Sequence, residues 1–166
     1  MVELIQEIDK NIFFEEVKVR FNNILNGFDE YKNITFDFNE LGYDEEKIIK
    51  LIEDIYEENK GECYIDFYIS KLSQKDRVIL INMIEDEDRE FINKLIDNKY
   101  SDCYFKLLSK KLIPIFMRLN TREIFFVTFY FTYIPITIWG NYNLKFPCFF
   151  DCNETMKFYE RKIINY

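Results

Sequence analysis

Residues 124–144 contain no charged side chain, 21 positions in all. Such a run must be buried, and what buries it decides the fold. It is long enough to cross a bilayer as a helix. Its composition argues otherwise: Thr128, Thr132, Thr137, Pro135, Gly140, Asn141 and Asn143 interrupt it, and the remainder is mainly β-branched or aromatic, which suits strands packed inside a protein. Phe125, Val127, Phe129 and Phe131 alternate with Phe126, Thr128, Tyr130 and Thr132. Both rows are largely apolar, which predicts a central strand near 124–132 covered by helices. Strands near 136–139 and 145–150 flank Gly140-Asn141-Tyr142-Asn143, a hairpin-turn sequence. Pro147 points to the last of them as an edge strand.

Upstream, residues 33–39 and 63–70 alternate and read as two further strands. Between them Asp44 can cap a helix carrying Ile48, Ile49, Leu51, Ile52, Ile55 and Tyr56, with Gly61 ending it. Strand, helix, strand suggests a crossover within one sheet. The first segment places Leu4, Ile5, Ile8, Ile12, Phe13, Val17, Phe21, Ile24, Leu25 and Phe28 at helical spacing, with a strand over 16–21 as the competing reading. In the middle, Ser73 and Asp76 resemble a capping box for a helix reaching about Ile84. Phe91, Ile92, Leu95 and Ile96 form a second stripe. A third helix is expected from Ser101 or Asp102, carrying Tyr104, Phe105, Leu107, Leu108, Leu112 and Ile113 and ended or kinked by Pro114. Asn120 to Glu123 could cap one more turn, and 155–164 could form a short helix over the sheet. The expectation is an α+β fold with a mixed or antiparallel sheet and about four to five helices, in one globular domain spanning 1–166.

Composition removes several chemistries. The chain has no histidine, which excludes Ser-His-Asp and Cys-His catalysis, His-ligated zinc and an imidazole switch. Its four glycines, Gly27, Gly42, Gly61 and Gly140, are too dispersed for a phosphate-cradling loop. Cys63, Cys103, Cys148 and Cys152 lack zinc-site spacing and read as buried free thiols. No cofactor, catalytic residue or metal ligand is assigned. The net charge of −8 disfavours nucleic acid. It is concentrated in residues 1–60, which hold 16 Asp and Glu against 7 Lys and Arg. With no basic leader or apolar run at the start, a cytoplasmic location away from membranes is expected.

The densest charge cluster is Glu85, Asp86, Glu87, Asp88 and Glu90. It can be a solvated junction that favours the start of the next helix, or a patch for a basic partner. Arg122 and Tyr142 belong to residue types that anchor interfaces, whereas Trp139 reads as a core ring beside a turn. Glu16-Val17-Lys18 has the Glu-x-Lys spacing of some metal-dependent nucleases, but a partner carboxylate on a neighbouring strand is lacking. These signals favour a small acidic protein-binding module, of inhibitor or immunity type, meeting a basic protein through Glu85, Asp86, Glu87, Asp88, Glu90, Arg122 and Tyr142. The enzymatic alternative is a His-independent hydrolase using carboxylates, Tyr or Lys, which requires a pocket in the C-terminal sheet with at least two convergent ionisable groups. A homo-oligomer joined through the Pro147 strand is a further expectation.

Overall fold

The computed structural model describes residues 2–98 and 100–166. In chain order the elements are β1 (Ile5–Glu7), α1 (Lys10–Glu16), α2 (Ile24–Glu30), β2 (Lys32–Asp37), α3 (Glu45–Glu58), β3 (Cys63–Asp66), α4 (Gln74–Met83), α5 (Asp86–Asp97), β4 (Tyr104–Leu107), α6 (Ile113–Thr121), β5 (Thr128–Phe131), β6 (Ile136–Ile138), β7 (Lys145–Phe150) and α7 (Asn153–Ile164). The strands form one antiparallel sheet in the order β1-β4-β3-β5-β6-β7-β2. The α+β class is therefore as expected, with seven helices among the described residues.

Strand alternation divides the sheet into two unlike faces. Cys63 and Ile65, Phe105 and Leu107, Phe129 and Phe131, Ile136 and Ile138, and Phe146, Cys148 and Phe150 point into the main core. That core is completed by Ile48, Leu51, Ile52 and Ile55 of α3, Phe91, Ile92 and Leu95 of α5, Phe116 of α6 and Tyr159 of α7. The opposite face carries Tyr64, Asp66, Tyr104, Thr128, Tyr130, Thr137 and Phe149, covered by Ile8, α1, α2 and the chain between them. Because side chains alternate with period two, the central strands are apolar on one face and mixed on the other.

The caps read from the sequence form. Asp44 accepts from the Lys47 N–H, and Ser73 accepts from the Asp76 N–H while its hydroxyl donates back to the Asp76 carboxylate. Lys60 and Gly61, at φ 55° and 77°, turn the chain out of α3, and α3 joins β2 to β3 within the one sheet. The chain after residue 152 forms α7 over β2 and β7.

Five expectations are corrected. The helix expected from Ser101 or Asp102 is instead β4, inserted between β1 and β3. Tyr104 to Leu107 alternates half-buried and buried, and the Ser101 and Asp102 N–H groups donate to the Glu7 carboxylate rather than opening a helix. Pro114 starts α6 rather than ending a helix, because its missing N–H is unneeded in a first turn. The N-terminal stripe is broken into β1, α1 and α2, with an extended stretch between the helices that buries Val17 and Val19. Nor is β7 an edge. It lies between β6 and β2, the free edges being β1 and β2. Pro147 is tolerated because its carbonyl accepts from the Trp139 N–H just beyond the last residue of β6, where no return bond is required. The Pro147 strand therefore offers no free edge to a second copy. The strand near 124–132 is shorter than expected, only Thr128–Phe131 pairing.

Among the described residues no helix is long and apolar enough to cross a membrane. The uncharged run is used by β5, β6 and their connections.

Candidate functional site

The less covered face of the sheet holds a cavity of about 520 Å³ between the strands and the chain segment that carries α1 and α2. Register builds its floor. Asp66, the last residue of β3, lies across from Tyr104 on β4 and Thr128 on β5, so the three side chains form one row. In the next row Tyr64 lies across from Tyr130. The 13–31 segment supplies the opposite wall. Phe13 stacks on Tyr104 at 4.0 Å between centroids and meets Tyr130 edge-on at 5.1 Å. Phe21 lies nearly parallel to Trp139 at 5.5 Å. Trp139 is therefore a half-buried wall of the cavity rather than a core ring. The Thr137 hydroxyl donates to the Val19 carbonyl and pins the segment to the sheet. Gly27 permits the close approach of α2, since a Cβ there would sit 2.7 Å from the Phe21 ring.

Asp66 is the chemical centre. It is 6% exposed. One carboxylate oxygen accepts from the Thr128 N–H at 2.9 Å and the other from the Tyr130 hydroxyl at 3.0 Å. Burial pushes its pKa from 3.8 up to about 6, while the two donors pull it back. Among the described residues it forms no ion pair. The surrounding hydroxyls are likewise driven away from ionisation: burial, with Cys103 and Asp66 beside it, raises Tyr104 to about 12. Burial also raises Tyr68 and Tyr130, again with Asp66 beside them. At neutral pH these groups are hydrogen-bonding hydroxyls around a carboxyl able to exchange a proton. Arg20 stands at the rim, its guanidinium 4.7 Å from the Phe14 ring and donating to the Val17 carbonyl.

The residues singled out from sequence lie elsewhere, and most of the acidic run is already paired. Asp88 is buried and receives two bonds from Arg118, at 2.6 and 2.7 Å. Arg118 also reaches Glu87 at 3.4 Å, Asp86 pairs with Arg89, and Glu90 with Lys94. Arg122 bridges Glu85 and Glu45, which holds the start of α3 to the start of α5. Tyr142 is 59% exposed, edge-on to Phe126 at the cavity rim. Glu16 ends α1, with no metal-binding group of His, Cys, Asp or Glu among the described residues. Cys63, Cys103 and Cys148 are buried free thiols, and Cys152 is half-buried. The missed site had one available signal, a carboxylate in the otherwise uncharged strand Cys63-Tyr64-Ile65-Asp66-Phe67.

No protein-family model, no curated protein and no solved structure matches the chain.

Proposed function

We propose that the protein binds a small organic molecule in the sheet-face cavity, with Asp66 as its polar anchor and proton-exchanging group. The observation that carries this reading is a buried carboxyl at the floor of an aromatic-walled cavity, with no cationic partner from the described residues. The volume suits a compact ligand, and a few convergent polar groups among rings are what orient one. Asp66 with the hydroxyls of Tyr68, Tyr104 and Tyr130 around it lends support to the hydrolase alternative as well. A carboxyl titrating near 6 is poised for general acid or base work, so turnover of the ligand is compatible with the same site. The test is a screen of neutral, cationic and anionic compounds against the wild type and Asn22→Trp, which places a bulky ring at the exposed rim. The reading predicts compounds whose binding the rim substitution blocks. A screen whose hits all bind the substituted protein equally well would overturn it.

A second reading keeps the acidic surface as a docking site for a basic protein. It is supported by Glu46, Glu57, Asp86 and Glu87, which remain exposed on α3 and α5. Reversal of Asp86 and Glu87 to Lys should then abolish capture of that partner while leaving cavity binding intact.

A further inference from the structure

We infer that the ligand of the cavity is an organic cation, an alkyl- or arylalkylammonium whose charged group sits against Asp66 within the ring of aromatic side chains. The inference rests on the binding reading above and specifies its chemistry. The cavity walls include the rings of Phe13, Tyr68, Tyr104, Tyr130, Phe126 and Trp139. Aromatic faces are electron-rich and attract a cation within about 6 Å, Trp most strongly. At the floor is a carboxylate whose hydrogen-bond donors are a backbone N–H and a hydroxyl, both neutral. Its charge is therefore solvated locally but not neutralised, and a buried anion without a counter-charge is costly. An ammonium would complete that arrangement. A neutral ligand would leave the charge unbalanced, and an anion would be repelled by it.

Among the described residues Arg20 is the one cationic side chain lining the cavity. It already spreads over Phe14 and donates to the Val17 carbonyl, so it is engaged at the rim rather than turned to an anion at the floor. The other rim charge is the Glu30 carboxylate. Among the described residues the lining thus carries two acidic groups against one basic, and Phe14 already holds a cation over its face.

The experiment uses matched probes and amide-shift titration by NMR: choline against 3,3-dimethylbutanol, and benzylammonium against benzyl alcohol and benzoate. At neutral pH the ammonium of at least one set should bind about tenfold more tightly than its uncharged counterpart, a preference equivalent to about 1.4 kcal/mol, and should shift the Thr128 and Gly140 amides. Asp66→Asn should erase that preference while retaining a folded spectrum. Trp139→Leu, which leaves Asp66 untouched, should weaken the ammonium more than the alcohol. Equal binding of ammonium and alcohol, or tighter binding of benzoate, would overturn the cationic assignment while leaving a small-molecule site standing. Failure of every probe to shift a cavity amide would also overturn it. The binding reading itself falls only if the broader screen yields no compound blocked by Asn22→Trp.

Discussion

The Tyr130 hydroxyl donates to the Asp66 carboxylate across adjacent strands, at 3.0 Å. It is one of two neutral donors that keep a carboxylate tolerable in an otherwise aromatic surround. Tyr130→Phe removes that donor without changing the ring. The Asp66 pKa should then rise further above about 6, because a bond to the charged form is lost while the burial remains. A carboxyl-carbon NMR titration checks this, and an unchanged midpoint would contradict it.

Asp66 also makes stability depend on pH. Its proton is held more tightly in the folded chain than in the unfolded one, the pKa moving from 3.8 to about 6. Its favourable contribution is therefore complete below pH 3.8 and is lost as the pH rises through about 6. Asp66→Asn abolishes the titration. The stability difference should shift toward the variant by about 2 kcal/mol between pH 4 and 7, at about 1.4 kcal/mol per unit of pKa shift. Carboxylates held below their usual range by ion pairs, such as Glu45 beside Arg122, act in the opposite direction in both proteins and cancel. Chemical denaturation across that range measures the difference, and a flat difference would refute it.

Asn120 secures the loop that leads into β5. Its amide donates to the Val127 carbonyl at 2.8 Å and its oxygen accepts from the Val127 N–H at 2.7 Å. Asn120→Ala strands both buried groups and should cost about 3 kcal/mol in urea unfolding. Gly140 lies directly against the same amide, where a Cβ would stand 2.4 Å from its oxygen. Gly140→Ala should cost about 2 kcal/mol by overpacking.

Two arginines at the end of α6 should behave differently. Arg118 is 17% exposed and bonds a carboxylate that is 7% exposed. Arg118→Met should cost about 3 kcal/mol, because Asp88 is left buried without its partner. Arg122 and Glu45 are about one-third exposed. Arg122→Met should therefore cost no more than about 1 kcal/mol, and less at high salt. Equal losses at the two positions would count against this ordering.

The sequence was most legible where period and capping agreed. The α3 stripe, its Asp44 cap and the β6–β7 hairpin all follow from local patterns. It was least legible where one stretch satisfied two periods. Tyr104, Phe105, Leu107 and Leu108 fit a helix face as readily as a strand, and only Leu4 and Ile8 bonding along one side with β3 along the other decides it. Pro114 and Pro147 misled because each sits where its missing N–H is unneeded. The site was hidden for a related reason. Its residues arrive from separate segments near 13–31, 66–68, 104, 126–130 and 139–140, and no local spacing connects them. The acidic run was conspicuous by composition, but the arginines that neutralise much of it lie some thirty residues away in sequence.

The most direct test is to map the amide shifts caused by the tightest compound from the screen. They should centre on Asp66, Thr128, Tyr130 and Gly140, and Asp66→Asn should weaken the binding. Shifts centred on the start of α5, with those four amides unmoved, would contradict it.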